Sequence, residues 1–298
     1  MNYNKDNEAK LAVSYFKTAN KSFEFIASYN FSKIKTDDNK KYFFYTEHKN
    51  LKLLGLTSQI KSEVSKKVDK SIIQIFLPML HVENSHVYDV DPVKTAWEYD
   101  LNSAYTHWLH LLWVSEKLFY KMLDIKRKYN FNINQSIGMS LLGEKIVAKY
   151  KHGKPDSKEI VLNPFRPCFY LLRYLTITTL KRTLAIEAHN ERIAYYVDAI
   201  HLTKKFDVTM LAKAYDFNAY ETLENLENKA QKYYKKSLLE AFGIDKERII
   251  NILYNRDYKT SFFSFKEKQI QDVSIKRQEL TNKKMLEFRR ENELIIYK

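Results

Sequence analysis

The sequence predicts an α+β protein. Short runs dense in β-branched and aromatic residues, such as 97–106 and 192–203, read as strands. Elsewhere apolar residues return every three or four positions, as Ile60, Val64, Val68 and Ile72 do, which is helix spacing. Apolar content is 45%, ordinary for a chain that buries a core, so wholesale disorder is excluded.

Taken in order, residues 1–40 are polar and lysine-rich, with an apolar cluster at Leu11, Val13, Tyr15 and Phe16. Residues 41–45 read as a strand. A helix is expected from Thr57, and Pro78 ends that region. Lys61, Lys66, Lys67 and Lys70 lie on or beside its polar side and read as a solvated face, with a nucleic-acid contact as the alternative. Asp89, Asp91 and Pro92 mark a loop before a strand that ends near Asp100. One aromatic-rich helix is expected after Tyr105, carrying Trp108, Leu111, Leu112, Phe119 and Met122. A basic cluster overlaps its end: Lys121, Lys126, Arg127 and Lys128. Gly138, Gly143 and Gly153 concentrate backbone irregularity, and 151–157 reads as an exposed loop. A helix over 167–189 leads into the strand 192–203. Leu223, Leu226, Ala230 and Tyr234 keep helix spacing beside the basic run Lys229, Lys232, Lys235 and Lys236, with Gly243 as the stop. A charged last helix is expected over 266–293.

Net charge narrows the partners. Fifty Lys and Arg against 36 Asp and Glu give +14, which suits a polyanion, either nucleic acid or an acidic membrane surface. No apolar span near membrane length and no N-terminal signal pattern is visible, so no membrane and a cytoplasmic setting are expected. One cysteine, Cys168, excludes an internal disulfide and a multi-cysteine zinc site. It lies in an apolar segment with no evident base and reads as a buried thiol. Five glycines and no Walker or dinucleotide pattern exclude the common phosphate loops.

Chemistry concentrates at two carboxylates. Asp198 stands in the middle of the 192–203 strand, where an acid is costly unless something pairs with it or binds it. Asp100 ends a short strand entering a turn. Two such strands meeting in one sheet could hold divalent metal, because a hard cation removes the repulsion between the acids. Two ions about 3.5–4 Å apart activate a 3′-hydroxyl and stabilise a leaving pyrophosphate. His107 and His110, three apart on a helix, are candidate ligands, but with no nearby acid they read rather as packing or surface residues, whereas His201 reads equally as a structural or a substrate-contacting residue. Tyr233-Tyr234-Lys235-Lys236 mixes aromatics and bases as single-strand binders do, and an amphipathic helix explains it equally well.

A resemblance sharpens this pattern. Tyr99-Asp100-Leu101-Asn102-Ser103-Ala104-Tyr105 resembles motif A of family B DNA polymerases, D-x-x-S-L-Y-P, above all the protein-primed branch of phages and linear plasmids. Tyr196-Val197-Asp198-Ala199-Ile200-His201-Leu202-Thr203 resembles their motif C, D-T-D-S followed by Ile-His-Leu. Arg173-Tyr174-Leu175-Thr176-Ile177-Thr178 resembles the helix that precedes it. The likeness covers about 95–205, roughly a third of the chain. It departs at Tyr196 for motif C's first aspartate, Ala199 for its serine and Thr106 for motif A's proline. Motif B, K-x-x-x-N-S-x-Y-G, is kept only as Ser140 and Gly143, with Met139, Leu142 and Gln135 at the asparagine, tyrosine and lysine positions. A second register, with Lys128 and Asn132 as the K-x-x-x-N pair, loses the glycine. The segment before residue 95 lacks a clear D-x-E exonuclease signature.

The resemblance implies a palm with an antiparallel sheet, a helical fingers insertion and a largely helical C-terminal region. The expected divisions are an N-terminal accessory region (1–94), a palm (95–215) with fingers at about 111–165, and a thumb-like region (216–298). It implies Mg2+ or Mn2+ held by Asp100, Asp198 and the Leu101 carbonyl. Ser103, Ala104 and Tyr105 would meet the nucleotide through backbone amides, with the Tyr105 ring under the sugar. Gln135 cannot neutralise a phosphate, so Lys121, Lys126, Arg127 or Lys128 would do so. Lys232, Lys235 and Lys236 would hold DNA. The implied partners are template and primer DNA, deoxynucleoside triphosphates, and a protein primer or replication protein. The alternative is a polymerase-derived DNA-binding replication protein with weak or no catalysis. A third reading, a basic single-strand-binding module, treats the motif likeness as chance.

Overall fold

The computed structural model describes residues 5–28, 31–45, 48–88, 95–130, 132–187, 191–254 and 260–271. It is α+β with two antiparallel sheets of five strands each. The chain divides into two compact units, neither continuous in sequence: 1–74 with 114–169, and 75–113 with 170–298.

The first unit holds α1 (Lys5–Thr18), β1 (Phe23–Ser28), β2 (Phe31–Thr36), β3 (Lys41–Tyr45) and α2 (His48–Ser65). After a break in sequence come α4 (Glu116–Tyr129), α5 (Ile133–Leu141), β6 (Lys145–Lys151) and β7 (Lys154–Val161). Its strand order is β3-β2-β1-β6-β7. The N-terminal strands and the inserted segment therefore share one sheet, because β1 pairs with β6 from Phe23↔Tyr150 to Ser28↔Lys145. The inserted segment, expected to be helical, is helical only in its first half. The expected loop at 151–157 is instead the turn into β7, which is exposed at every position. Gly153 turns this hairpin at φ +73, where an added Cβ would meet the Lys17 carbonyl oxygen at 2.3 Å. The motif B likeness falls on α5 and just beyond. Ser140 is buried there and its hydroxyl donates to the Ser136 and Thr57 carbonyls. A Cβ on Gly143 would stand 2.6 Å from the Met139 carbonyl oxygen, so glycine is needed for this close approach.

The second unit holds β4 (Ser85–Val87), β5 (Thr95–Leu101), α3 (Ala104–Leu112), β8 (Arg192–Tyr196), β9 (Ala199–Leu202), α7 (Val208–Tyr234), α8 (Leu238–Ala241), α9 (Lys246–Tyr254) and β10 (Phe265–Gln271). A 3-10 segment, Ile73–Leu80, and α6 (Arg166–Glu187) carry the chain across the unit boundaries. Strand order is β10-β5-β9-β8-β4. One sheet face is apolar: Tyr99, Leu101, Ile200, Leu202 and Phe265 are buried. The core also holds Trp108, Tyr215 and Phe263, with rings 4.7–6.5 Å apart. Trp113 is buried too, its indole N–H donating to the Phe242 carbonyl at 2.7 Å.

Several expectations are corrected. The single helix expected from Tyr105 through Met122 is two, because Ser115 starts α4 as its N-cap and accepts from the Leu118 amide. Gly243 does not end α7, which stops at Lys235 in the left-handed conformation; Gly243 follows α8. The last helix expected over 266–293 begins as a strand, β10, paired with β5. Residues 272–298 lie outside the described residues, as do Asp89, Asp91 and Pro92. Among the described residues, no helix is long and apolar enough to cross a membrane.

Candidate active site

β5 is the central piece. Its alternation sends Tyr99 and Leu101 into the core and leaves Glu98 and Asp100 on the other face. Cross-strand register then sets one row over that face: Lys266, Asp100, Ala199, Tyr196 and Ser85. The next row on the same face holds Lys268, Glu98, His201 and Ala194. His201 is buried, and its Nε2 lies 2.8 Å from a Glu98 carboxylate oxygen. This pairing of directly opposed residues accounts for His201 structurally.

Asp198 is not in the middle of a strand. The 192–203 run is a hairpin, with Val197 and Asp198 as its two-residue turn between β8 and β9. The Leu101 amide donates to the Asp198 carbonyl at 2.7 Å, and Asp100 is the register partner of Ala199. The structure thus brings the backbones of Asp100, Leu101 and Asp198 together at one end of the sheet. Both aspartates are partly exposed. Asp198 also influences the Tyr215 hydroxyl beneath the sheet. Burial raises that pKa above the usual tyrosine range, the hydrogen bond from Trp108 opposes the rise, and the Asp198 charge adds to it.

The turn is strained. Val197 sits at φ +49, where a β-branched side chain crowds the backbone. Its amide donates to the Asn84 carbonyl at 2.7 Å, one of the bonds that hold it there. Such strain costs about 1–3 kcal/mol and clusters at working sites. Val197→Asn should therefore raise stability by about 1 kcal/mol, since asparagine tolerates this conformation. Thermal unfolding checks this; a lower melting temperature would count against strain at the turn.

Motif A continues as strand, turn and helix. The Asn102 amide donates to the Ser264 carbonyl at 2.9 Å, and its side-chain amide to the Ser264 hydroxyl at 3.1 Å. Ser103 takes φ +49 and its carbonyl accepts from Thr106 and His107, which starts α3 at Ala104. The N-terminus of α3 therefore follows four residues after Asp100. Helix N-termini present amides without intrahelical partners and attract anions. Tyr105, in the first turn of α3, is only 8% exposed. His107 stacks edge-on against Phe262, and His110 accepts from Arg248 through its carbonyl at 2.6 Å, so neither histidine is set up as a ligand.

Other expected site residues lie on other elements. Lys121, Lys126, Arg127 and Lys128 are exposed on α4 in the first unit, where Lys121 donates to Gln59 and Arg127 pairs with Asp124. Lys232, Lys235 and Lys236 are exposed at the C-terminal end of α7. Cys168 is fully buried, and burial pushes its thiol pKa up, so it is not a nucleophile.

Three residues escaped the sequence reading. Lys266 faces Asp100 in register, hidden by the expected helix. Glu98 carried no signal apart from its place two residues before Asp100. Asp216 is buried on α7 and accepts from the Phe262 amide at 2.7 Å and the Phe263 amide at 3.0 Å, which anchors the segment leading into β10. Its position on the apolar face with Ala212, Tyr215 and Ala219 could have flagged it.

Among the described residues, no group of three or more His, Cys, Asp and Glu side chains is placed to hold a metal. Two carboxylates and one carbonyl are nevertheless a hard, all-oxygen donor set suited to Mg2+ or Mn2+. The residue opposite Asp100 in register is Ala199, which brings no polar group of its own to that carboxylate. No protein-family model, curated protein or solved structure matches the chain.

Proposed function

We propose that the protein is a template-directed DNA nucleotidyltransferase, resembling a minimal family B DNA polymerase without an exonuclease. The observation that carries this reading is the hydrogen bond from the Leu101 amide to the Asp198 carbonyl. It joins the strand–turn–helix of the motif A likeness to the strained hairpin of the motif C likeness. In this reading Asp100, Asp198 and the Leu101 carbonyl hold Mg2+ or Mn2+. Bound there, such an ion would supply positive charge beside a primer 3′-hydroxyl and a departing pyrophosphate. The 3′-oxygen bonds to the α-phosphorus of the incoming nucleotide as the bond to pyrophosphate breaks, and the hydroxyl proton leaves to solvent. The chain's own part is positioning and charge. Amides of Ser103, Ala104 and Tyr105 at the start of α3 receive the triphosphate. Lys266, across from Asp100, adds a cation on the same face.

The test is primer extension on a primed DNA template with each metal in turn. Metal-dependent incorporation is expected. A protein that binds the template but incorporates nothing with either metal fits the second reading, a DNA-binding replication protein. Tyr196 in the Asp100 row and Gln135 at the motif B lysine position favour that reading.

Tyr105 makes a separate prediction. Tyr105→Ala should raise ribonucleotide incorporation relative to deoxyribonucleotides, by about tenfold or more, by removing the wall beneath the 2′ position. Tyr105→Phe should leave discrimination unchanged. Unfolding should be followed in parallel, because losing a buried ring costs about 3–5 kcal/mol. Unchanged selectivity in a folded alanine variant would remove Tyr105 from the sugar site.

A further inference from the structure

The sheet of the first unit has two unlike faces. α1 packs against one, where Phe16 lies 5.5 Å from Phe23 and 5.6 Å from Tyr42, ring centre to ring centre. On the opposite face, register places Lys41, Lys35, Glu24 and Lys149 in one cross-strand row. The adjacent row runs from Phe43 through Lys33 to Ile26, Val147 and Glu159. Lys145 stands two residues before Val147 on the same face. Five lysines thus share this face with two acids. Among the described residues, none of the five is in an ion pair.

Two further features separate this surface from an ordinary solvated one. Phe43 is 48% exposed among these bases, with the Lys33 ammonium 5.5 Å from its ring centre. A large exposed aromatic between lysines is a stacking surface beside an electrostatic track. The basic stretch also continues past Lys145. Lys61 and Lys70 lie 5.9 and 5.6 Å from the same ring, Phe165. Burial, then the charges of Lys145 and Lys70, lower the Lys61 pKa, so these ammonium groups feel one another. Like charges gathered this way are relieved by a polyanion.

We infer that this face binds single-stranded nucleic acid, with Lys33, Lys35, Lys41, Lys145 and Lys149 on phosphates and Phe43 against a base. A single strand is favoured over a duplex because a paired and stacked base does not offer its face to Phe43. The inference goes beyond the catalytic reading and does not require it: these residues belong to the first unit, and Asp100 and Asp198 to the second.

The test uses the full chain and a fluorescein-labelled oligothymidylate about 20 nucleotides long, read by anisotropy across a KCl series. The triple variant Lys33→Gln, Lys35→Gln, Lys149→Gln should bind at least about tenfold more weakly at low salt. Its log–log salt slope should be shallower by about 2, from roughly 0.7 per lost phosphate contact. The matching triple substitution to arginine should keep both affinity and slope, which separates charge from folding. Phe43→Ala should weaken binding by about fivefold or more without changing the slope. An unchanged glutamine variant, or equal affinity for a duplex of the same length, would overturn the inference. So would wild type that binds phosphatidylserine-containing vesicles but not the oligonucleotide. Oligonucleotide binding through this face without nucleotide incorporation would overturn the catalytic reading alone.

Discussion

Asp198→Asn should abolish primer extension while the protein stays folded and bound to DNA. The substitution keeps the size and planarity of the side chain and removes its charge. Asp198 is partly exposed on a two-residue turn, and its backbone bond to the Leu101 amide uses the main-chain carbonyl and survives. Stability should therefore change by less than about 1 kcal/mol. Activity should fall by a factor on the order of a thousand or more, the scale of losing one preorganised electrostatic group at a reacting phosphate. Single-nucleotide incorporation, an anisotropy binding curve and a melting curve decide the matter together. Equal extension by the variant and the wild type would displace Asp198 from the site. Loss of extension with loss of folding would assign the residue to structure instead.

Asp216→Ala should strongly destabilise the second unit. The carboxylate is buried and accepts from two consecutive amides, those of Phe262 and Phe263, both also buried. Truncation leaves two buried donors without this acceptor, at about 1–3 kcal/mol each, so a loss of about 3 kcal/mol is expected. Asp216→Asn keeps one acceptor oxygen and should lose about half as much. All three tryptophans, Trp97, Trp108 and Trp113, lie in this unit, so their fluorescence during urea unfolding reports on it directly. A midpoint unchanged in the alanine variant would show that the Phe262–Phe263 segment is held by its rings alone.

The elements that the sequence announces best are those that bury a side-chain pattern. Residues 41–45, expected as a strand, form β3. The helix expected over 167–189 is α6, and Leu223, Leu226 and Ala230 do line the buried side of α7. Edge strands were the hardest to see. β7 and β10 lie at sheet edges and carry charge along their length, because main-chain pairing to one neighbour holds them without an apolar stripe. The sequence of β10 consequently has the look of a charged helix, which hides Lys266 as a neighbour of Asp100.

The hairpin at Asp198 was hidden for a different reason. A two-residue turn normally shows itself by glycine, asparagine or aspartate where φ is positive. Here that position is Val197, a strand former, so the run looked continuous. The residues of interest were legible, but their placement was not: Asp198 sits on the turn. Ser140 illustrates the converse. Its match to a motif drew attention to a hydroxyl that is buried and bonded to the Ser136 and Thr57 carbonyls.

The pairing of β5 with β10 has a consequence for synthesis. Asn102 and Ser264, which close this ladder beside Asp100, are 162 positions apart. At about 5–20 residues per second, the ribosome releases the second strand roughly 8–30 s after the first. During that interval the strand bearing Asp100 has an unpaired edge, and the intervening chain must build much of the other unit. A chaperone that covers exposed strand edges on nascent chains would therefore act on β5, and slowing translation between the two strands would lengthen its exposure.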